Sequence, residues 1–535
     1  MATGSQRVWR AACPNCGAPV EFASAASASA VCSFCRSTLL RDGEALKRIG
    51  QSAELFDDHS PLQLQAAGKL EGHAFTIVGR QQIGYEGGSW NEWHILLDQP
   101  GSESGFTSAW LSEDNGAYVV AADQPLTGPV PTPDELFPGQ RRVVSGAVWD
   151  VASVQRAKLL AAEGELPVPP RLDGGEFFVA DLRNQQDQVG TLDWRDPQRP
   201  SWTVGRSVRL ADLALTGLRG ESEKTLRGNA MNCPNCGASL EPKLDSTKSI
   251  VCGQCEAVVD ISKGAGADLE HYVQQSHGTP PLIPLGRSGK IALGPAGTPA
   301  IDWQVVGYVE RIEVDVEAGE EQATWREYLL YNATEGFTFL VDAEDGWSYA
   351  RPITGVPQIQ DRRVIWRGKS YDQLYSYSGA VTHVLGEFYW RLARGEKTRN
   401  TDFAAGALRL NREQAGQEVT WSAGGALDSD AVAKAFGLGT AEALAMRRDT
   451  KAFASTSGGA KGLKTWLIVF VVAIVLFSII GSCSSSSDDC QPLRENFGEA
   501  SAEYQQCLRS QRSGGGFRTG GGSYGGFSSG GGSHK

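Results

Sequence analysis

Positive charge is what this chain is short of: 50 Lys and Arg face 62 Asp and Glu, for a formal net charge of −12. An acidic chain is a poor binder of phosphate backbones. Arg36 and Arg41, or Lys243, Lys248 and Lys263, form no basic stripe, so no nucleic-acid partner is expected. Histidine is scarce as well. The seven (His59, His73, His94, His271, His277, His383 and His534) fall at unmatched positions, and a lone histidine on a strand is more often packed than catalytic. No Gly-x-Ser-x-Gly, His-Glu-x-x-His or phosphate-loop pattern occurs; Gly68-Lys69 and Gly289-Lys290 lack the other residues of a P-loop and read as turns. Residues 1–12 carry Arg7 and Arg10 but no apolar run, so no signal peptide is expected.

What the chain does have is one cysteine pattern, twice. Cys13-Pro14-Asn15-Cys16 is followed by Cys32-Ser33-Phe34-Cys35, and Cys233-Pro234-Asn235-Cys236 by Cys252-Gly253-Gln254-Cys255. In each copy 15 residues separate the two pairs, the spacing of a four-cysteine zinc ribbon. Each pair is a turn that aims two sulfurs at one centre, and the spacer is long enough for a hairpin that completes a tetrahedron. Two structural Zn²⁺ sites are expected, with Cys13, Cys16, Cys32, Cys35 and Cys233, Cys236, Cys252, Cys255 as ligands. Four cysteines leave no open position for water or substrate, and thiolate ligands need a reducing compartment.

The cysteines of the two sets are 220 residues apart, one for one, and more than the cysteines repeats. Trp303 to Tyr308 answers Phe75 to Arg80, with Gly307 under Gly79. Trp93-His94 stands where Tyr328-Leu329 stands, and Glu92 shares a position with Glu327. Gly175-Glu176-Phe177-Phe178 is matched to Gly386-Glu387-Phe388-Tyr389, and Trp202 and Gly205 to Trp421 and Gly424. Short β-prone runs punctuated by glycine and asparagine turns fill both halves. The expected fold is mainly β: a tandem duplication of a four-cysteine zinc ribbon and a small antiparallel β-barrel or sandwich.

The expected domains are zinc ribbon 1 (8–45), a β-rich domain (55–215), zinc ribbon 2 (228–265) and a second β-rich domain (280–436). A linker (437–462) leads to an apolar stretch. Trp466 to Ile480 is unbroken, and 463–482 makes 20 residues, about 30 Å as a helix. One C-terminal transmembrane helix is therefore expected. Basic residues before it and Asp488 and Asp489 after it put the bulk of the chain in the cytoplasm of a single-pass membrane protein. A short extracytoplasmic helical segment (483–512) follows, where Cys490 and Cys507 could pair. A disordered Gly/Ser-rich tail (513–535) comes last.

Trp325 to Leu330, Gly336-Phe337, Gly346-Trp347, Gly386 to Trp390 and Trp421-Ser422 together resemble a bacterial family, the domain of unknown function 4178. The resemblance implies a zinc ribbon before the domain, a membrane helix and glycine-rich tail after it, and a setting of membrane-stress or polyamine-linked genes. It implies no catalytic residues.

The expectation is a non-enzymatic adaptor that binds protein or peptide partners at the inner membrane face, with homo-oligomerisation left open. The alternative is an enzyme or small-cation binder using Glu92, Glu176, Glu327 and Glu387 in a cleft between the β-domains. The aromatics Tyr371, Tyr375, Tyr377, Phe388, Tyr389 and Trp390 are expected partly in the core and partly on a recognition surface.

Overall fold

The computed structural model describes residues 9–448, apart from 23–28, 43–44, 52–59, 87, 100–105, 115–116, 171–174, 220–230, 245–246, 262–268, 276–277, 317–321, 334 and 393–394. Period-two alternation, interrupted by tight turns, folds each half into antiparallel strands. In the first half these are β1 (His73–Tyr85), β2 (Gly88–Asp98), β3 (Phe106–Asp114) and β4 (Ala117–Asp123), then β5 (Ala147–Leu166), β6 (Glu176–Arg183), β7 (Gln188–Asp193) and β8 (Ser201–Val208). Each set of four is a meander. β4 pairs with β8 and β5 with β1, so the two meanders close into an eight-stranded barrel with every neighbour antiparallel.

The second half repeats this. Its strands are β9 (Ile301–Val314), β10 (Thr324–Asn332), β11 (Gly336–Ala343), β12 (Gly346–Ile353), β13 (Lys369–Phe388), β14 (Lys397–Ala405), β15 (Leu408–Ala415) and β16 (Glu418–Leu427). Pairing of β12 with β16 and of β9 with β13 closes the ring.

Each closure passes through a pair of facing glycines, Gly79 with Gly164 and Gly307 with Gly386. Gly164 and Gly386 take φ of 69° and 90°, and a Cβ on either would lie 2.2 Å from a carbonyl oxygen, of Val78 or Val306. Only glycine fits there. The long strands β5 and β13 then run on past the glycine to meet the ribbons. This pairing corrects the repeat register expected from sequence. Glu387 follows Gly386 at the end of β13, so its structural counterpart is Glu165 after Gly164 on β5. Glu176 instead opens β6. The matched Gly-Glu-Phe strings lie on non-equivalent strands.

In the second barrel two apolar clusters lie outside the ring, while inside it buried polar residues such as Arg311, Glu327, Asn411 and Glu413 share the lumen with Val309, Leu329 and Phe339. Tyr308, Tyr328, Leu340 and Trp347 are covered by Val432, Ala433 and Phe436, from the helix α1 (Ser429–Ala435) and its cap. Asp428 caps that helix, accepting from Ala431 N at 2.9 Å. On the far side Trp366 and Tyr371 pack over Phe403, Leu410 and Trp421. The lumen is crossed by contacts between non-adjacent strands. Trp325 on β10 meets Tyr377 on β13 with ring centroids 5.4 Å apart, and Arg311 Nη1 on β9 donates to Thr398 Oγ1 on β14 at 3.5 Å.

The expected aromatic recognition surface is not found. Tyr371, Tyr377, Phe388, Tyr389 and Trp390 are all buried, and Tyr375 packs against the Trp325 cluster. A bulge between Gln373 and Tyr375 breaks the face that Tyr371 and Tyr377 would share, sending them to different clusters.

The expected transmembrane helix and the single-pass membrane localisation are also not supported. Among the described residues no helix is long and apolar enough to cross a membrane. The two α-helices, α1 and α2 (Thr440–Ala445), have seven and six residues, where a span needs about 20. Residues 463–482, 483–512 and 513–535, with Cys483, Cys490 and Cys507, lie outside the described residues.

Candidate metal centres and buried carboxylates

Each cysteine pair sits in the same tight turn. Cys13 N donates to Ala18 O and Gly17 N to Cys13 O, both at 2.8 Å, and Cys233, Ala238 and Gly237 repeat the bonds. The second pair of each ribbon does the same through Cys32 with Arg36 and Ser37, and through Cys252 with Glu256 and Ala257. The residue after the last cysteine of each turn has positive φ: Gly17 (75°) and Gly237 (78°), but also Arg36 (57°) and Glu256 (56°). The backbone amides thus wrap the sulfurs, and non-glycine residues accept the left-handed conformation to do so.

All eight predicted cysteines come together as two tetrads, with ligand atoms within 4.8 Å of one another in each. Cys13 and Cys35 Sγ are 3.7 Å apart, as are Cys16 and Cys32, Cys233 and Cys255, and Cys236 and Cys252. Four thiolates around a metal at about 2.3 Å form a tetrahedron with edges of about 3.8 Å. The tetrads therefore fit a metal ion without rearrangement.

The Asn of each Cys-Pro-Asn-Cys turn has a task that spacing alone did not disclose. The Asn15 side chain, helped by Ser37, pulls the Cys35 thiol down to about 5, and Asn235 pulls Cys255 down to about 6. Each Asn thereby favours the thiolate on the opposite turn, the form a metal binds. Arg48 Nη1 donates to Asn15 Oδ1 at 3.3 Å, which leaves the amide N–H groups of Asn15 for the sulfur.

Both ribbons are strand-paired to their barrels. Ser29–Val31 pairs with Gly164 to Leu166 at the end of β5, and Ser29 Oγ donates to Leu166 O at 3.2 Å. Ser249 and Ile250 pair with Phe388 and Glu387 at the end of β13, and Leu392 N donates to Ser249 Oγ at 3.0 Å. Glu387 clamps the second ribbon. Its carboxylate accepts from Lys243 N (2.9 Å), Leu244 N (3.1 Å) and Thr247 Oγ1 (2.7 Å).

Glu92 and Glu327 lie in the lumens and share a design. Trp90 Nε1 donates to Glu92 Oε1 at 3.4 Å, and Trp325 Nε1 to Glu327 Oε1 at 2.8 Å. Each carboxylate is ion-paired with an arginine, but from non-equivalent strands. Arg195, just past β7, lies 3.5 Å from Glu92, while Arg311 of β9 lies 3.1 Å from Glu327 with both side chains fully buried. Burial raises the Glu327 pKa, with Arg311 opposing. Glu413, also in this lumen, is pushed well up by burial and by Glu327, Glu396 and Glu418, against Arg311. Glu327 and Glu387 thus have separate sets of partners, and neither lines the cleft between the barrels. The expected constellation of paired carboxylates in that cleft does not form.

His94 is a packed residue. Its Nδ1 lies 2.9 Å from Glu165 O and its Nε2 2.8 Å from Ser108 Oγ, and burial lowers its pKa to about 4. It joins β2 to the glutamate that follows Gly164, close to the ribbon junction.

Taken together, the molecule is a tandem of ribbon-headed, eight-stranded antiparallel barrels, each head a four-cysteine centre able to hold a metal ion. The chain belongs to the family described as Domain of unknown function (DUF4178), whose model matches residues 63–210 and 300–429, just over half of it. Each match covers one barrel and begins beyond its ribbon, so the family domain is the barrel. No curated protein and no solved structure matches the chain.

Proposed function

We propose that this protein is a non-catalytic binding module, an adaptor for a protein or peptide partner, in which two structural zinc ions hold the ribbons against their barrels. The observation that carries this reading is the closed four-sulfur geometry of both tetrads. Zn²⁺ suits it, being indifferent to d-electron geometry and matched to four thiolates, and a saturated site offers no position for water or substrate. Apparent binding energies for such sites, about 10–16 kcal/mol, are enough to fold ribbons with small cores. Glu92 and Glu327 support the same reading, since each is held by an arginine and a tryptophan and neither reaches the cleft.

The test has two parts. Metal analysis of the full chain should give two zinc ions, and the cobalt-substituted protein should show tetrahedral thiolate bands that added azide or cyanide leaves unchanged. A band shift on adding such ligands would mean an open, reactive metal and would sink the structural assignment. Tagged full-length protein should then retain a stoichiometric partner, lost in a Cys233→Ser variant. Recovery of the bare chain alone under all conditions would count against the adaptor.

A further inference from the structure

The two barrels touch along β5 and β16. Ser153 is bridged to Glu418, and Val154 N donates to Gln417 O at 3.3 Å. Beside this contact lies a small, solvent-open cleft with a cavity volume of about 50 Å³, formed by residues of both copies. Gly139, Asp150 and Arg183 reach it from the first copy, and Ile353, Arg412 and Trp421 from the second.

The repeat provides an internal comparison for Arg412. Leu192 lies directly opposite Trp202 on the first barrel, and Arg412 lies directly opposite Trp421 on the second, so the two hold one structural position. Leu192 is fully buried in an apolar cluster with Trp149 and Trp202. On the second barrel the same position carries a guanidinium, and only there does the position face the other copy.

The Arg412 side chain makes no hydrogen bond and no ion pair among the described residues. Burial disfavours its charge, Arg399 repels it and Asp150 attracts it. Asp150 is already ion-paired with Arg141 at 3.3 Å, and Glu418 accepts the Thr420 hydroxyl at 3.3 Å. Arg183 brings a second guanidinium to the same cleft. A half-buried guanidinium with no partner of its own is costly unless an anion completes it. The approach is tight, because a Cβ at Gly139 would lie 2.4 Å from Arg412 Nη2, and Gly139 itself takes a φ of 81°.

We propose that this inter-barrel cleft binds a small organic acid, whose carboxylate pairs with the Arg412 guanidinium while its apolar body lies against Ile353, Val356 and Trp421. The planar guanidinium matches a carboxylate in bidentate fashion, and an apolar wall with a few convergent polar groups is the usual make-up of a ligand cleft. The site exists only where the copies meet, which gives the duplication a use that neither barrel has alone. It goes beyond the adaptor reading and does not depend on it.

The test is titration of the full chain with hexanoate and with neutral hexanamide, followed by calorimetry or ligand-observed NMR. Hexanoate should saturate with a Kd on the order of 1 mM, and hexanamide should bind at least about ten-fold more weakly. Arg412→Leu installs the residue that the first barrel already packs against Trp202, so the melting temperature should hold while hexanoate affinity falls at least about ten-fold. Arg412→Gln, which keeps a polar side chain and removes the charge, should lose affinity equally. No saturation by wild type at about 100 mM, equal binding of hexanoate and hexanamide, or undiminished binding by both variants would overturn the proposal.

Discussion

Glu413 offers the sharpest test of the polar lumen. Its side chain is buried within the second barrel, directly opposite Asn400 on β14, and Asn400 Oδ1 has no donor among the described residues. Burial, together with Glu327, Glu396 and Glu418, outweighs the help of Arg311 and raises its pKa well above 4.5. The folded state therefore holds this proton more tightly than the unfolded chain does. Its contribution to stability is fully present below pH 4.5 and is lost as pH rises, by about 1.4 kcal/mol per unit, until the folded-state pKa is passed.

A Glu413→Gln variant is neutral at every pH, and its amide can donate to Asn400. It should match wild type at pH 4 and become more stable than wild type as pH rises. The gap should widen steadily above pH 4.5 until the folded-state pKa is passed. Urea unfolding followed by tryptophan fluorescence, run on both proteins from pH 4 to pH 8, measures it directly. A pH-independent difference, or a variant weaker than wild type at pH 7, would refute the neutral, buried glutamic acid.

The same packing makes three further predictions. Asn15→Ala and Asn235→Ala should each lower metal affinity at their own ribbon about 10–100-fold while leaving two metals bound at saturation, read by competition with a chromophoric chelator. His94, whose pKa is lowered from 6.5 to about 4, stays neutral when folded, so acidification from pH 6.5 to pH 4 should cost about 3 kcal/mol through this residue. His94→Leu, which copies Leu329 of the second barrel, should remove that pH dependence, and the His94 imidazole NMR signals of wild type should not titrate between pH 5 and pH 8. Gly386→Ala places a Cβ 2.2 Å from Val306 O at a φ of 90°, and should cost more than the roughly 1–3 kcal/mol of the backbone conformation alone. Loss of ribbon 2 docking, seen as faster amide exchange at Ile250, would accompany it, whereas a neutral effect would mean the barrel closes differently.

The legible features were those that depend on spacing along the chain. Two Cys-x-x-Cys turns separated by 15 residues specify a tetrahedral site whatever they are attached to, because the ligands are local. The β-rich character followed from alternation, and the duplication from the 220-residue offset. The role of Asn15 and Asn235 was not legible within a repeated Cys-Pro-Asn-Cys string, since the bond each makes crosses to a cysteine on the opposite turn. The Gly-Glu-Phe match failed for a related reason. A string of three residues recurs by chance, and only the pairing of Gly164 with Gly79 and Gly386 with Gly307 shows which glutamate occupies the closing position.

By itself, then, the sequence determined the two metal tetrads, the tandem plan and the strand-forming character of each half, all set by local periodicity and ligand spacing. Tertiary structure decided the rest. It determined that eight strands close into a ring, that buried polar groups gather in the lumen beside tryptophans that hold them, and that Glu92 and Glu327 are neutralised by arginines from different strands. It also placed Arg412 across from another copy where Leu192 is simply buried. Those outcomes depend on which strands pair and on what each face then meets, and such contacts between residues far apart in the chain leave no periodic trace in it.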